Sequence, residues 1–357
     1  VEAIFVKSST NSYHITVGKR VRNNLNRYLT KDYSSILIVT DENVAALYLE
    51  DIIKNFPEKP VFKSIVPAGE QSKNIETFYQ LQTDAIQFGL DRESLIIALG
   101  GGVVGDLAGF AAATFMRGID YIQIPTTVLA HDSSVGGKVA INHELGKNLI
   151  GNFYPPQAVV YDTDTLQSLN EREMRSGYAE LIKEALIADK SFFDMLLQTD
   201  IYSLDSNELQ THLKLGIKIK AQIVEEDEKE SGVRKHLNLG HTLGHALESE
   251  LGYGSLTHGE AVAIGLLFSL HVSEQALTAN VPFNALRLWL EKNRYPLDNF
   301  EYHTEQLISR MKADKKSVKS KIQMVLLKET AFPVVKELED AEVTEYLHSF
   351  IVRMIGK

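Results

Sequence analysis

Five short, mostly apolar runs punctuate the first half of the chain, at residues 36–40, 61–66, 95–99, 121–124 and 158–161. Strands that are apolar on successive residues are buried on both faces, as happens in parallel sheets covered by helices on either side. Helical patterns at 75–88 and 104–115 lie between the runs. Residues 1–165 are therefore expected to form an α/β, Rossmann-like domain around a parallel sheet. In such sheets ligands bind beyond the carboxyl ends of the strands.

Those ends carry the polar signals of this half. Asp41 and Asn43 follow the first run, GEQSK at 69–73 the second, and GGGVVGD at 100–106 the third. In the last, strand, glycine run and helix follow in order, so backbone amides at a helix N-terminus could meet a pyrophosphate without Cβ obstruction. A tight strand-to-helix turn would need the same glycines, and the pattern alone does not separate the two. Residues 124–159 show few helix signals and many small polar residues, and read as long functional loops. Lys138 and Lys147, each beside a glycine, and Asn148 are suited to a phosphate.

From residue 166 the pattern is mainly helical, and a second domain is expected over 166–357. Met174, Tyr178, Leu181, Ile182, Ala185 and Leu186 form one apolar stripe bordered by Glu180, Lys183 and Glu184. On this helix alone Glu180 and Lys183 read as a surface pair, while repulsion between Glu180 and Glu184 would be relieved by a cation. The stretch LNLGHTLGHALE, 237–248, reads as an amphipathic helix with His241 and His245 one turn apart on one face. His258 follows in a glycine-flanked turn before another apolar helical run. With no cysteine in the chain, the residues by themselves suggest two or three of these histidines on one divalent ion of zinc type, with a carboxylate still needed to complete the set; an HxxxH pair alone reads equally as helix histidines that bond carbonyls or neighbouring side chains. Thr242 after His241 excludes the HExxH protease arrangement. Glu230, Arg234 and Asn238 precede His241 at spacings that share its face if the segment is helical, but not if it is extended. The remainder reads as helix, a break at Pro282, a basic stretch at 311–317, a strand-like run at 322–327 and a final helix.

At 357 residues the chain has room for two cores. With 37 Lys and Arg against 47 Asp and Glu, the net charge of −10 argues against a nucleic-acid partner. The composition shows no long apolar run or export leader, so no membrane partner is expected and a cytoplasmic location is.

GGGVVGD, PTT, DSSVGGK, GKN, SGYAELIK, GVRKHLNLGHTLGHALE and HGEAVAIG occur in this order and closely resemble the 3-dehydroquinate synthase family of sugar-phosphate cyclases, over nearly the whole chain. The resemblance implies an NAD-binding first domain and a metal- and substrate-binding second domain. It puts zinc, or cobalt, on Glu180, His241 and His258, with His245 turned to substrate instead of metal. NAD would be surrounded by Asp41, Asn43, Glu70, Lys73, Gly102, Val103, Val104, Gly105, Asp106, Thr126, Thr127, Lys138, Lys147, Thr165, Leu166, Gln167 and Ser168. Asp132, Lys138, Asn148, Lys183, Lys220, Glu230, Arg234, Asn238, His245 and Lys315 or its neighbour Lys316 would line a sugar-phosphate substrate. Arg117 in TFMRG would reach the substrate phosphate of a neighbouring subunit, which implies a homodimer. The activity implied is conversion of 3-deoxy-D-arabino-heptulosonate 7-phosphate to 3-dehydroquinate and phosphate, with transient oxidation by NAD and no net redox change. Two departures from the family pattern are a segment before DSS that is one residue short, and Asn170 where proline is usual.

Overall fold

The structure is a computed structural model, and it describes residues 2–252, 254–297, 303–314 and 321–355. Two compact units divide the chain, one formed by Val1–Leu169 with Asp205–Glu228, the other by Asn170–Leu204 with Lys229–Lys357.

The first unit holds a seven-stranded sheet. In chain order its nine strands are β1 (Glu2–Val6), β2 (Tyr13–Gly18), β3 (Ile36–Asp41), β4 (Val61–Val66), β5 (Leu95–Gly100), β6 (Asp120–Pro125), β7 (Lys138–His143), β8 (Gly146–Phe153) and β9 (Ala158–Asp162). The sheet order is β1-β2-β9-β6-β5-β3-β4, parallel throughout except for the antiparallel β1–β2 pair. Successive residues of the central strands enter opposite cores. Leu37, Val39, Ile96 and Ala98 pack with the helix Gly102–Thr114, while Ile36, Ile38, Leu95 and Ile97 pack with the helix Glu42–Ile53. The apolar runs are continuous for that reason.

Three features differ from the sequence reading. β1 and β2 extend the sheet at one edge. Residues 138–153, read as loop, form an antiparallel hairpin with Lys138 opposite Phe153 and an irregularity between Ile141 and His143. Its second strand is exposed along most of its length, so no apolar alternation marks it. The helix Ser206–Glu226, which a boundary at 165 assigns to the second half, packs against β1 and the turn Thr163–Ser168.

The second unit is mainly helical, with a β10 (Ile322–Leu327) and β11 (Pro333–Leu338) hairpin. At its centre lies the helix His258–Leu277, buried continuously from Gly259 to Ser273. A helix apolar all round must sit inside a core. Beside it runs the helix Glu171–Ala188, buried from Ser176 to Ile187. Asn170, the departure from proline, is the N-cap of that helix, its side-chain oxygen accepting from the Glu173 amide at 2.9 Å. Capping an otherwise orphaned donor is a role proline lacks the side chain to fill. No described helix is long and apolar enough to cross a membrane.

Candidate functional site

In the second unit, three segments meet because glycines let backbones touch. A Cβ on Gly259 would lie 1.9 Å from the Ser176 carbonyl oxygen, and one on Gly265 would lie 1.8 Å from that of Gly240. The first contact sets the start of the central helix on the Glu171–Ala188 helix. The second sets the helix His241–Leu251 on the central one. Gly240 itself takes φ +80, which ends the 3-10 turn Val233–Asn238 and starts a new helix at His241. The expected single helix over 237–248 is therefore broken, and its α-helical part begins at the first histidine.

His258 is the first residue of its own helix, capped by Thr257 in a reciprocal box with Glu260. Glu260 also accepts from Arg175 at 2.8 Å and from Arg172 at 3.3 Å. Its charge is stabilised by the Thr257 amide and the two arginines, which outweigh burial and hold its carboxyl below the ordinary value.

The result is a cluster of donors. His241 Nε2 is 3.5 Å and His258 Nε2 is 3.3 Å from Glu180 Oε1. The ring nitrogens of His241, His245 and His258 include donor atoms that all lie within 4.8 Å of one another. Each of the two Nδ1 atoms already has a partner: His241 Nδ1 bonds the Leu239 carbonyl at 3.1 Å, and His258 Nδ1 bonds Glu248 Oε2 at 3.0 Å. Two Nε2 atoms turned to one carboxylate oxygen, with the far ring nitrogens held, form a donor set that fits a zinc-type ion. His245, 5.2 Å from the His241 ring and 5.7 Å from the His258 ring, can serve as a further donor or face a ligand.

Charge is concentrated here. Glu180, Lys183 and Glu184 are at most 1% exposed, so the surface-pair reading of the helix is replaced by a buried ion pair between Lys183 Nζ and Glu180 Oε2. Burial holds His241 well below its ordinary pKa, with Glu180 pulling the other way. Burial also opposes charge on His258, but Glu248 and Glu180 outweigh it and push its pKa up to about 10. The cluster attracts positive charge. Arg234, 1% exposed, lies on the 3-10 turn. Asn238 Nδ2 donates to Glu230 Oε1 at 2.9 Å, so these two meet by a side-chain bond, with Glu230 outside any helix at φ +59.

In the first unit the strand ends gather a second set. Lys73, 5% exposed, pairs with Asp106 and donates to Asn148 Oδ1 at 2.6 Å. Burial works against its charge, and Asp106 with Glu70 outweighs it, so the lysine pKa is raised. Asn142, absent from the sequence reading, ties this network together: its Nδ2 donates to Glu70 Oε1 at 2.7 Å, its Oδ1 accepts from the Asn148 amide at 3.0 Å, and its amide donates to the Lys73 carbonyl at 2.8 Å. Asp132 pairs with Lys220 at 2.7 Å. Asp41 caps its helix through the Asn43 and Val44 amides at 2.9 and 3.1 Å. Tyr48 joins Thr165 and Ser168, on the turn that also carries Leu166 and Gln167.

The glycine turn has the tight packing that its sequence allowed, and its open amides leave room for the other role. A Cβ at Gly101 would meet Thr127 at 3.1 Å, and one at Gly102 would meet Ser133 at 3.1 Å, so the PTT and DSS segments pack on the turn. Among the described residues no side chain caps the helix that follows. The Gly105 amide is used within the helix, bonded to the Gly101 carbonyl at 3.0 Å, whereas the preceding first-turn amides at Gly102, Val103 and Val104 have no intrahelical acceptor. Beside them the Thr126 hydroxyl is buried with no hydrogen-bond partner among the described residues. An uncapped helix start and an orphaned hydroxyl fit a dinucleotide phosphate.

Lys138 begins the hairpin and Lys147 lies on its return strand. Arg117 is exposed at the end of a 3-10 turn, at φ +69 after Met116 at φ +48. Left-handed backbone at consecutive non-glycine residues is strained, and such strain concentrates at functional positions. Lys315 and Lys316 lie outside the described residues. Glu248 was also missed, although its position three residues after His245 puts it on the histidine face.

This fold is that of the sugar-phosphate cyclases. It is similar to 2-deoxy-scyllo-inosose synthase solved with carbaglucose-6-phosphate, NAD+ and Co2+, with a TM-score of 0.88 at 27% identity over 98% of this chain and 100% of that one. It is also similar in fold to 2-epi-5-epi-valiolone synthase from Streptomyces hygroscopicus subsp. jinggangensis, with a TM-score of 0.86 at 23% identity over 99% of each chain. Residues 63–176 match the 3-dehydroquinate synthase N-terminal model and residues 177–317 the C-terminal model. The 3-dehydroquinate synthase of Oceanobacillus iheyensis is 55% identical over 99% of both chains. The chain belongs to the 3-dehydroquinate synthase family.

Proposed function

We propose that this protein converts 3-deoxy-D-arabino-heptulosonate 7-phosphate into 3-dehydroquinate and phosphate. The observation that carries the reading is the convergence of Glu180 Oε1 with two Nε2 atoms at 3.3 and 3.5 Å, within a chain 55% identical to a protein of that name. Glu180, His241 and His258 would hold the cation, zinc or cobalt, and the first unit would hold NAD at the glycine turn. When bound, the cation supplies Lewis acidity at the hydroxyl to be oxidised and NAD a reversible hydride acceptor, so net redox is zero.

The chain's own residues bind and orient. Lys183 partly offsets the charge of Glu180. Arg234, buried and cationic, suits the substrate carboxylate, with Asn238 and Lys220 on the hydroxyls. Lys138, Asn148, His245 and Arg117 would hold the phosphate and keep it placed for departure. Glu230 fixes Asn238 through its 2.9 Å bond, and Asp132 holds the Lys220 ammonium.

Exposure of Leu145, Leu149 and Phe153, at 87%, 67% and 42%, on the hairpin that follows supports a homodimer that covers this face, with Arg117 presented to the neighbouring subunit. Sedimentation as a monomer at micromolar concentration would remove that part of the reading. The cytoplasm, where NAD is maintained, is the proposed setting. The activity is tested by incubating the purified protein with the heptulosonate phosphate, NAD and zinc. Phosphate release without NADH accumulation is expected. Stoichiometric NADH accumulation would point instead to a net dehydrogenase.

A further inference from the structure

We propose that Glu248 is a positioning residue for His258: it fixes the tautomer that leaves Nε2 bare and strengthens that nitrogen as a donor to the cation. The inference rests on the reading that Glu180, His241 and His258 form the metal site. It concerns a residue outside that proposed ligand set.

The geometry distinguishes the two imidazoles. His241 is held by a neutral backbone carbonyl, that of Leu239, two residues before it. His258 is held by a carboxylate ten residues away, Glu248 Oε2 at 3.0 Å from Nδ1. A carboxylate oxygen can only accept from the ring, so the bond to Glu248 keeps the hydrogen on Nδ1, and a cation that displaces a proton from His258 takes it from Nε2, 3.3 Å from Glu180 Oε1.

Two features of His258 call for this stronger partner. It is the first residue of its helix, where the positive end of the helix dipole lowers the donor strength of a ring nitrogen. A carboxylate on the opposite ring edge offsets that field. The His258 side chain is also 30% exposed, against 12% for His241, so packing restrains it less and a directional bond must do more. Glu248 is itself well suited, being 5% exposed and on the same helix face as His241 and His245, seven and three residues after them. Carboxylate partners of ligating histidines orient the ring and raise its basicity, and their removal lowers metal affinity by roughly 10- to 100-fold.

The test measures zinc affinity by competition with a chromophoric chelator in the full chain, for wild type, Glu248→Gln, Glu248→Ala and His258→Ala, together with the visible absorption of the cobalt-loaded proteins. Glu248→Ala is expected to bind zinc about 10- to 100-fold more weakly. Glu248→Gln, which keeps an acceptor of the same shape without its charge, should fall between Ala and wild type and alter the cobalt spectrum. Circular dichroism and urea unfolding of the metal-free proteins should leave Glu248→Gln close to wild type, a pattern that a merely structural role would not give. If His258→Ala lost zinc while both Glu248 variants bound it as wild type does, the inference would be overturned and the metal site would stand. If His258→Ala also bound zinc normally, the metal site itself would be wrong. Should Glu248→Ala fail to fold, the isosteric Gln variant decides alone.

Discussion

Gly259→Ala tests whether helix contact creates the metal site. The added Cβ would fall 1.9 Å from the Ser176 carbonyl oxygen, and a relaxed carbon–oxygen contact is about 3.3 Å, so roughly 1.4 Å must open between the two helices. His258 is the residue before Gly259, and Glu180 lies one turn beyond Ser176, so the opening falls directly between two donors. Overpacking costs about 1–3 kcal/mol among side chains and more against backbone, as here, still below the upper part of the ~5–15 kcal/mol that holds a typical domain, so the variant should fold with reduced stability. Metal coordination, in contrast, tolerates displacements of only about 0.2 Å. Chelator competition should therefore show zinc affinity reduced by at least about tenfold, comparable to the loss of a ligand-orienting contact. Gly252→Ala is the control. Gly252 has φ +80 with nothing near its Cβ position, so alanine there costs about 1–3 kcal/mol of backbone strain and should leave zinc binding alone. If Gly259→Ala folded with wild-type zinc affinity, close packing of these helices would not be what sets the donor spacing.

Replacing His258 or His241 with alanine should abolish stoichiometric zinc, while His245→Ala should retain it; plasma emission analysis of dialysed protein that gave the reverse order for His258 and His245 would make the three histidines the ligand set. Arg234→Leu should lower kcat/KM for the heptulosonate phosphate by about ten- to a hundredfold, the equivalent of a charge-assisted bond of ~1.5–3 kcal/mol, with zinc content unchanged; an unaltered kcat/KM would place the carboxylate elsewhere. His271 gives a pH dependence: Arg353 Nη1 donates to its Nδ1 at 3.2 Å and its Nε2 meets Ser349 Oγ at 2.8 Å, and burial with Arg353 lowers its pKa. The unfolded chain then takes up this proton first, so stability should fall as pH drops below about 6.5, with a slope of at most about 1.4 kcal/mol per pH unit from this group. Urea titrations from pH 7.5 to 5.5 should show a shallower slope for His271→Gln, and identical slopes would reject the assignment.

Legibility in the sequence followed burial symmetry. The strands at 36–41, 95–100 and 120–125 stood out because both faces are covered, which makes their apolar runs continuous. The hairpin at 138–153 did not, because its return strand is exposed and its order comes from pairing with the first strand and from the Asn142 bonds to Glu70, Lys73 and Asn148. Neither source leaves a periodic trace. The histidine pair was legible from helical spacing, but Glu180 was named as the third donor only through the family resemblance. Glu180 and Lys183 have the spacing of any surface pair, and only the structure buries them.

What buries them is a contact across 83 residues, in which the Gly259 amide also donates to Ser176 Oγ at 3.1 Å. A glycine inside an apolar helix normally weakens it by about 1 kcal/mol relative to alanine, so Gly259 and Gly265 read locally as defects. Their absent Cβ atoms let the central helix approach Ser176 and Gly240 closely enough to bring Glu180, His241 and His258 to one point. The convergence of these donor atoms thus depends on residues that carry no donor atom in their side chains. A pattern search for ligands passes over them, and a substitution there should act on zinc before it acts on the fold.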